Sequence, residues 1–203
     1  MKENENLNSD IDLNAIHRCI KGDVDAFEEI VLRYQKKMFN MAYRMIGDYH
    51  EAAEVVQDAF VSAYKNLKGF RGASKFSTWL VTIVMNLSRN RIKQRKTRSA
   101  RERYSLDDPV HIDNGAVTIE YASPDASVLE RLETHEVQQS VQKCVNRLET
   151  EFREVLVLRD IQGFSYGEIG SLLHIAEGTV KSRIHRARES VKNCLKNLIG
   201  ELS

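Results

Sequence analysis

Lys181, Ser182, Arg183, His185, Arg186 and Arg188 crowd a short stretch near the C-terminus, and Val180, Ile184, Ala187 and Val191 run through them at spacings of four, three and four. At about 100° per residue this pattern puts the four apolar residues on one helix face. Ser182, His185, Arg186 and Glu189 fall on the opposite face, with Lys181, Arg183 and Arg188 on its shoulders. Such a helix suits the major groove of DNA. Its outward side chains meet base edges, the guanidinium fork of Arg186 can bond two acceptors on guanine, and Arg183 and Arg188 neutralise phosphates. A solvated surface helix carries the same pattern, so the face alone does not decide.

A second cationic cluster lies upstream. From Arg89 to Arg103 eight bases stand against Glu102, a balance of +7. From Tyr104 to Glu136 eight acids stand against Arg131, a balance of −7, and from Gly178 to Lys196 the balance returns to +5. The whole chain carries 30 Lys and Arg against 29 Asp and Glu, net +1, so no global field draws it to a polyanion and any basic surface is local.

Enzymatic chemistry finds no purchase. There is no nucleophile with a neighbouring base, no carboxylate cluster at metal spacing, no glycine-rich phosphate loop and no HExxH, so no catalytic residue, metal or cofactor is expected. The six histidines are scattered, and His17 near Cys19 reads as helix surface. Cys19, Cys144 and Cys194 fit neither a disulfide framework nor a CxxC zinc pattern and read as buried or free thiols of a reducing cytoplasm. The acidic N-terminus and the absence of a run of roughly 18 apolar residues argue against secretion and membrane insertion.

These residues need helices to carry them, and the composition supplies helices. With 2 Pro and 10 Gly in 203 residues and 42% apolar content, the chain reads as all-α. After a short helix around Leu13 to Ile20, the stripe Phe27, Ile30, Val31, Tyr34, Met38, Met41, Ala42 and Met45 predicts a helix from near Asp23 to Gly47. Ala52, Val56, Ala59, Phe60, Ala63, Tyr64 and Leu67 predict a second, stopping at Gly69, whose other face shows Glu51, Glu54, Gln57, Asp58 and Lys65. A third opens after Gly72 on Phe76, Trp79, Leu80, Ile83, Val84, Leu87 and Ile92, making a helical bundle with short loops. Trp79 belongs to that packing stripe.

Periodicity vanishes from about Thr97 to Ser127, where Pro109, Gly115 and Pro124 mark a linker; a short hairpin at Asn114-Gly115 is the alternative. Beyond it, a helix from Glu149 to Asp160 ends at Gly163. Ser165-x-x-Glu168 is a capping box opening the next helix, with Ile169, Leu172 and Leu173. A break at Ala176-Glu177-Gly178 precedes the basic helix from Thr179. The organisation is residues 1–10 as a disordered N-terminus, 11–97 as one helical domain, 98–127 as an acidic tether, and 128–203 as a helix-turn-helix domain.

Phe164-Ser165-Tyr166-Gly167-Glu168-Ile169, followed by Glu177 through Arg188, resembles the fourth domain of bacterial sigma factors of the extracytoplasmic-function group. Asp25-Ala26-Phe27, Glu51 through Phe60, and Phe70-Arg71-Gly72 through Thr78-Trp79-Leu80 to Asn86 resemble the second domain of the same family. Both occur in the family's order and cover nearly everything but the first ten residues and the linker. The resemblance implies a cytoplasmic, non-catalytic specificity subunit of RNA polymerase serving stress responses, held by an anti-sigma factor until a signal arrives.

By that resemblance, Glu54, Gln57 and Asp58 dock on the β′ clamp of the polymerase core, which also engages the chain through its β subunit. Phe70 and Asn86 match a pocket for one flipped base of the minus-ten element. Asn86, Ser88, Arg89 and Asn90 read the displaced strand, with Arg71, Arg89, Lys93 and Arg95 on phosphates. Thr179, Lys181, Ser182, Arg183, His185, Arg186 and Arg188 engage the minus-thirty-five duplex. The tether threads the polymerase cleft.

Departures from the family pattern are Ala53 and Glu54 in the clamp-binding helix, Gly170 for Ala, His174 for the turn Gly, and Ala176 for a capping Ser. Together the last three imply a softer helix-turn-helix, with His174 in a left-handed conformation. The rival readings are a helix-turn-helix operator-binding regulator that works without polymerase, and a DNA-acting enzyme such as a recombinase.

Overall fold

The computed structural model describes residues 2–103 and 128–200. Among the described residues there is no strand: α1 (Lys2–Ile20), α2 (Asp25–Ile46), α3 (Tyr49–Lys65) and α4 (Phe76–Arg103) are followed by α5 (Val128–Arg147), α6 (Thr150–Leu156), α7 (Tyr166–Leu173) and α8 (Glu177–Gly200). The helices fall into two compact units. α1, α2 up to Ala42, α3 and α4 make the first; α5 to α8, grouped with residues 43–49, make the second. The acidic tether beyond Arg103 and the hairpin at Asn114-Gly115 lie outside the described residues.

In the first unit the expected stripes become core. Phe27, Ile30, Tyr34, Met38 and Met41 of α2 are buried, as are Ala52, Val55, Val56, Ala59, Phe60 and Ala63 of α3. Asp23 starts α2: its Oδ1 accepts the Ala26 N–H at 3.2 Å, and the Arg18 guanidinium, bonding the same carboxyl at 2.9 Å, holds it below the usual carboxylate range. α2 ends at Gly47, whose φ of +79° suits a residue without Cβ. α1 seats itself through the buried Asp12, which takes hydrogen bonds from Arg33 and Tyr34. Burial, and then that bond to Asp12, pushes the Tyr34 hydroxyl far above its usual value.

Three boundaries differ from the sequence expectation. α1 begins at Lys2 rather than near Leu13, because no Gly or Pro interrupts residues 2–20. α4 runs on to Arg103, so residues 98–103 continue a helix instead of opening the tether. α3 gives way after Lys65 to a single 3₁₀ turn, Leu67–Gly69.

The buried face of α4 is also rotated from the expected one. Phe76, Leu80, Val81, Val84, Met85 and Ser88 are buried, whereas Trp79, Ile83, Leu87 and Ile92 are half-exposed. Residues 81, 84, 85 and 88 keep helical spacing, and Ser88 closes that row.

In the second unit Val145 and Leu148 of α5, Leu156 of α6 and Ala187 of α8 pack together, flanked by Val141, Phe152 and Val191, and Val155, Leu158, Ile169, Val180 and Ile184 are buried as well. α6 widens into a π turn over Val157–Ile161, where Gln162 N–H bonds the Val157 carbonyl at 3.0 Å. Gly163 then turns the chain with φ +80°. The cysteines depart from expectation. Cys144 on α5 and Cys194 on α8 are joined by a disulfide, with Cα atoms 5.7 Å apart, and Cys19 alone is a buried free thiol. Fifty residues separate the partners, so only the packing of α5 on α8 could reveal the pair.

Candidate nucleic-acid interface

The helix-turn-helix is built by local chemistry that the sequence announces. Ser165 caps α7 through its hydroxyl oxygen, which accepts the Glu168 N–H, and the Glu168 carboxylate accepts the Ser165 N–H at 2.7 Å. α7 ends at His174, the left-handed residue expected there, with φ 56° and ψ 45°. The turn then doubles back so closely that a Cβ on Gly170 would lie 2.8 Å from the Ile175 carbonyl oxygen, while the Ile175 N–H bonds the Gly170 carbonyl at 3.0 Å. Glycine at 170 is therefore the counterpart of this tight turn. α8 opens at Glu177, two residues before the expected Thr179, and the Ala176 carbonyl accepts the first helical bonds from Thr179 and Val180.

On α8, Val180, Ile184 and Ala187 are buried and Val191 is half-buried, as the spacing required. Lys181, Ser182, His185, Arg186 and Arg188 are exposed, and Thr179 and Arg183 are half-buried. His185 and Arg186 are exposed and make no ion pair among the described residues. Arg183 and Arg188 do not share that freedom. Arg183 pairs with Glu151 of α6 at 2.5 Å, and Arg188 makes a fork with Asp160 at 3.0 and 2.6 Å. The Asp160 hydrogen bond raises the Arg188 pKa above its already high value. Both arginines thus anchor α8 to α6 as well as lining its basic side. Lys181 pairs with Glu177 at 3.2 Å and lies 5.8 Å from the Tyr166 ring centre.

The first unit brings its expected residues together less evenly. Phe70, half-buried, joins an aromatic cluster, edge-on to Phe76 at 5.7 Å and tilted against Trp79 at 5.2 Å, and Arg71 beside it is exposed. Trp79, half-exposed, lies against Phe76 with ring centres 5.6 Å apart. On α4, Asn86, Asn90, Lys93 and Arg95 are exposed and Arg89 is half-exposed, donating to the Asn86 side chain at 3.2 Å. Ser88 is the exception. It is fully buried and its hydroxyl finds no partner among the described residues, so it is not presented to a strand from this position; the row Val81, Val84, Met85 turns it inward.

Glu54, Gln57 and Asp58 are all exposed on α3, but they do not act as one patch. Glu54 pairs with Arg91 of α4 at 2.8 Å, and Glu51 with Arg95 at 3.6 Å. Gln57 instead lines an apolar groove of about 900 Å³ between α2 and α3, with Val31, Phe39, Val56, Val61 and Tyr64. Val61 and Tyr64 of that groove are 46% and 43% exposed, although the helical stripe places Tyr64 in the core. No cluster of His, Cys, Asp and Glu able to hold a metal occurs among the described residues, and no helix described is long and apolar enough to cross a membrane.

Residues 30–98 match the family profile of Sigma-70 region 2, and residues 138–191 that of Sigma-70, region 4. The chain is 38% identical over 184 residues to the ECF RNA polymerase sigma factor SigW of Bacillus subtilis, covering 90% of this chain and 96% of that one. It is 33% identical over 195 residues to the RNA polymerase sigma-H factor of Pseudomonas aeruginosa, covering 96% and 99%. Among solved structures, the sigma factor RpoE bound to the anti-sigma factor NepR from Bartonella quintana superposes with TM-score 0.65 at 25% identity, covering 85% of this chain and 98% of that one. CnrH in complex with the cytosolic domain of CnrY gives TM-score 0.60 at 24% identity, covering 92% and 98%, a likeness of fold.

Proposed function

The chain belongs to the extracytoplasmic-function group of sigma-70 factors, and from that premise we propose how its two units divide the recognition of a promoter. As a sigma factor it associates with RNA polymerase core and directs promoter-specific transcription. The polymerase supplies the polymerising chemistry; this chain binds and positions, without catalysis of its own, and works in the cytoplasm.

The second unit reads the minus-thirty-five element as duplex. The observation that carries this reading is the pair Arg186 and His185, exposed and without ion-pair partners among the described residues, on a helix whose opposite face is buried. Arg186 forks onto a guanine edge, Lys181 and Ser182 flank it, and Thr179 lies at the helix start near the backbone. Arg183 and Arg188 orient the helix through Glu151 and Asp160 and add positive potential beside the phosphates.

The first unit melts the minus-ten element. Unstacking a base costs a few kcal/mol, and an aromatic platform offsets it. Phe70, held by Phe76 and Trp79 yet half-exposed, is such a platform, with Asn86 and Asn90 as polar contacts and Arg71, Arg89, Lys93 and Arg95 on the strand's phosphates. The polymerase clamp takes Gln57 and Asp58 on the exposed edge of α3 and continues into the apolar groove beside Gln57. Glu54 stiffens that edge through Arg91. An anti-sigma factor, as in the RpoE–NepR complex, is the further partner, covering these surfaces until a stress signal.

Run-off transcription with core polymerase on a genomic promoter library tests the reading. Products that require the chain are expected. Tight operator binding without polymerase, and no chain-dependent product, would establish the regulator instead.

A further inference from the structure

Cys144 and Cys194 sit at opposite depths. Cys144 is 1% exposed, in the seam where Val141 and Val145 of α5 meet Ala187 and Val191 of α8; Cys194 is half-buried at the outer end of that seam. The Arg147 guanidinium lies one turn beyond Cys144 and brings its Nη1 within 3.6 Å of the Cys194 sulfur. A cation at that distance favours a thiolate on Cys194 over one on Cys144. The accessible, cation-assisted sulfur and the buried one behind it are the two parts that reversible exchange needs.

We propose that Cys144 and Cys194 form a reversible thiol–disulfide site, exchanging with low-molecular-weight thiols and disulfides, whose state sets the stability of the C-terminal unit. In the opening direction an external thiolate attacks the Cys194 sulfur, the Cys144–Cys194 bond breaks, and Cys144 leaves as a thiolate that takes a proton from water. A second external thiolate then attacks the external sulfur held on Cys194, releasing Cys194 as a thiolate beside Arg147. Two external thiols become one disulfide, and the protein pair becomes two thiols. In closing, Cys194 attacks the external disulfide and Cys144 displaces the external thiol.

The bond spans 50 residues of chain and encloses α6, α7 and the recognition face of α8. The reading end of α8 keeps its own ties to Glu151 and Asp160, so opening the bond leaves the DNA-facing residues chemically unchanged. What changes is how often the unit is folded, and through it the occupancy of the minus-thirty-five element; that last link rests on the sigma-factor reading. Cys19 is the internal control, because burial, with Asp23 adding to it, pushes its thiol upward and away from reactivity.

The test equilibrates the full chain across reduced and oxidised glutathione, quenches in acid, and labels thiols with a maleimide under denaturing conditions. A transition between three labels and one, Cys19 alone, is expected. Three labels in every buffer, or one in every buffer, overturns the proposal, since the pair would then be never closed or permanent. Cys144→Ala is expected to carry glutathione on Cys194 after oxidation, while Cys194→Ala leaves Cys144 unmodified in the folded chain; equal modification of both overturns the assigned roles. Reduction should lower the thermal midpoint of the C-terminal unit by about 10 °C or more and weaken duplex binding near that midpoint. An unchanged midpoint overturns the proposed control of stability. Run-off transcription separates the two readings. If the double variant Cys144→Ala, Cys194→Ala and the wild-type chain both initiate equally in reducing and oxidising buffer through that temperature range, the redox control fails and the sigma-factor reading stands. If no form initiates, the sigma-factor reading fails, and the labelling still decides the thiol pair.

Discussion

α4 and α8 each turn a cationic face outward from an apolar floor, yet the two faces are assembled by different means. Beneath α4 the floor is deep, with methionines and isoleucines of α1 and α2, the alanine-rich face of α3 and an aromatic cluster at the helix start. Beneath α8, where Leu158, Ile169 and Ile184 are buried as completely, the helix is held by additions as well: a capping box, a glycine that admits a left-handed turn, two ion pairs to α6 and a disulfide to α5. In the second unit these specific devices add to what packing supplies. A disulfide closing a loop of this length contributes about 4 kcal/mol in the chain-entropy picture, comparable to one or two large core side chains.

The comparison is sharpest where a single side chain is removed. Leu80→Ala, at a position 0% exposed in the deep floor, should destabilise the first unit by about 2–5 kcal/mol in urea unfolding. A loss under about 1 kcal/mol would mean that this floor is looser than its burial indicates. Next comes Arg186→Ala, expected to weaken minus-thirty-five duplex binding by about 1–3 kcal/mol and to relax the base preference at one position. Arg188→Ala should leave that preference intact while lowering stability, because its fork goes to Asp160. Competition anisotropy on point-substituted duplexes tells the two arginines apart, and equal loss of preference would break the division of roles.

Smaller effects probe the devices. Gly170→Ala drives a Cβ against the Ile175 carbonyl and should cost about 1–3 kcal/mol, read as a fall in thermal midpoint. Ser165→Ala removes one half of the capping box and should cost about 1 kcal/mol by the same measurement. His174→Gly runs the other way. Relieving the left-handed histidine should raise stability by about 0.5–1 kcal/mol, and a fall would assign the His174 side chain a contact that outweighs its backbone strain.

What could be read in advance follows the range of the interaction. The α2 and α8 stripes, the capping box at Ser165 and the left-handed His174 depend on residues within one or two turns of each other, and all were legible. Ser88 was legible too, but in a different row: residues 81, 84, 85 and 88 share a face, and choosing the row through Trp79 and Ile83 turned Ser88 outward. The disulfide and the pairings of Arg183 with Glu151 and Arg188 with Asp160 join residues 28 to 50 positions apart, where periodicity carries no information. The extension of α1 and α4 shows the opposite limit. Polar helical stretches have no stripe to announce them, and only the absence of breakers does so.

The wide turn at Val157–Ile161 gives this part of the chain a reserve of length. A π turn accommodates one residue more than an α-helix over the same rise, so a polypeptide one residue shorter here could draw the coil tight and still deliver Ser165 to the start of α7. The stretch that supplies Asp160 as the counter-charge of Arg188 is thus also where kindred proteins can differ in length by one residue without shifting the helices on either side.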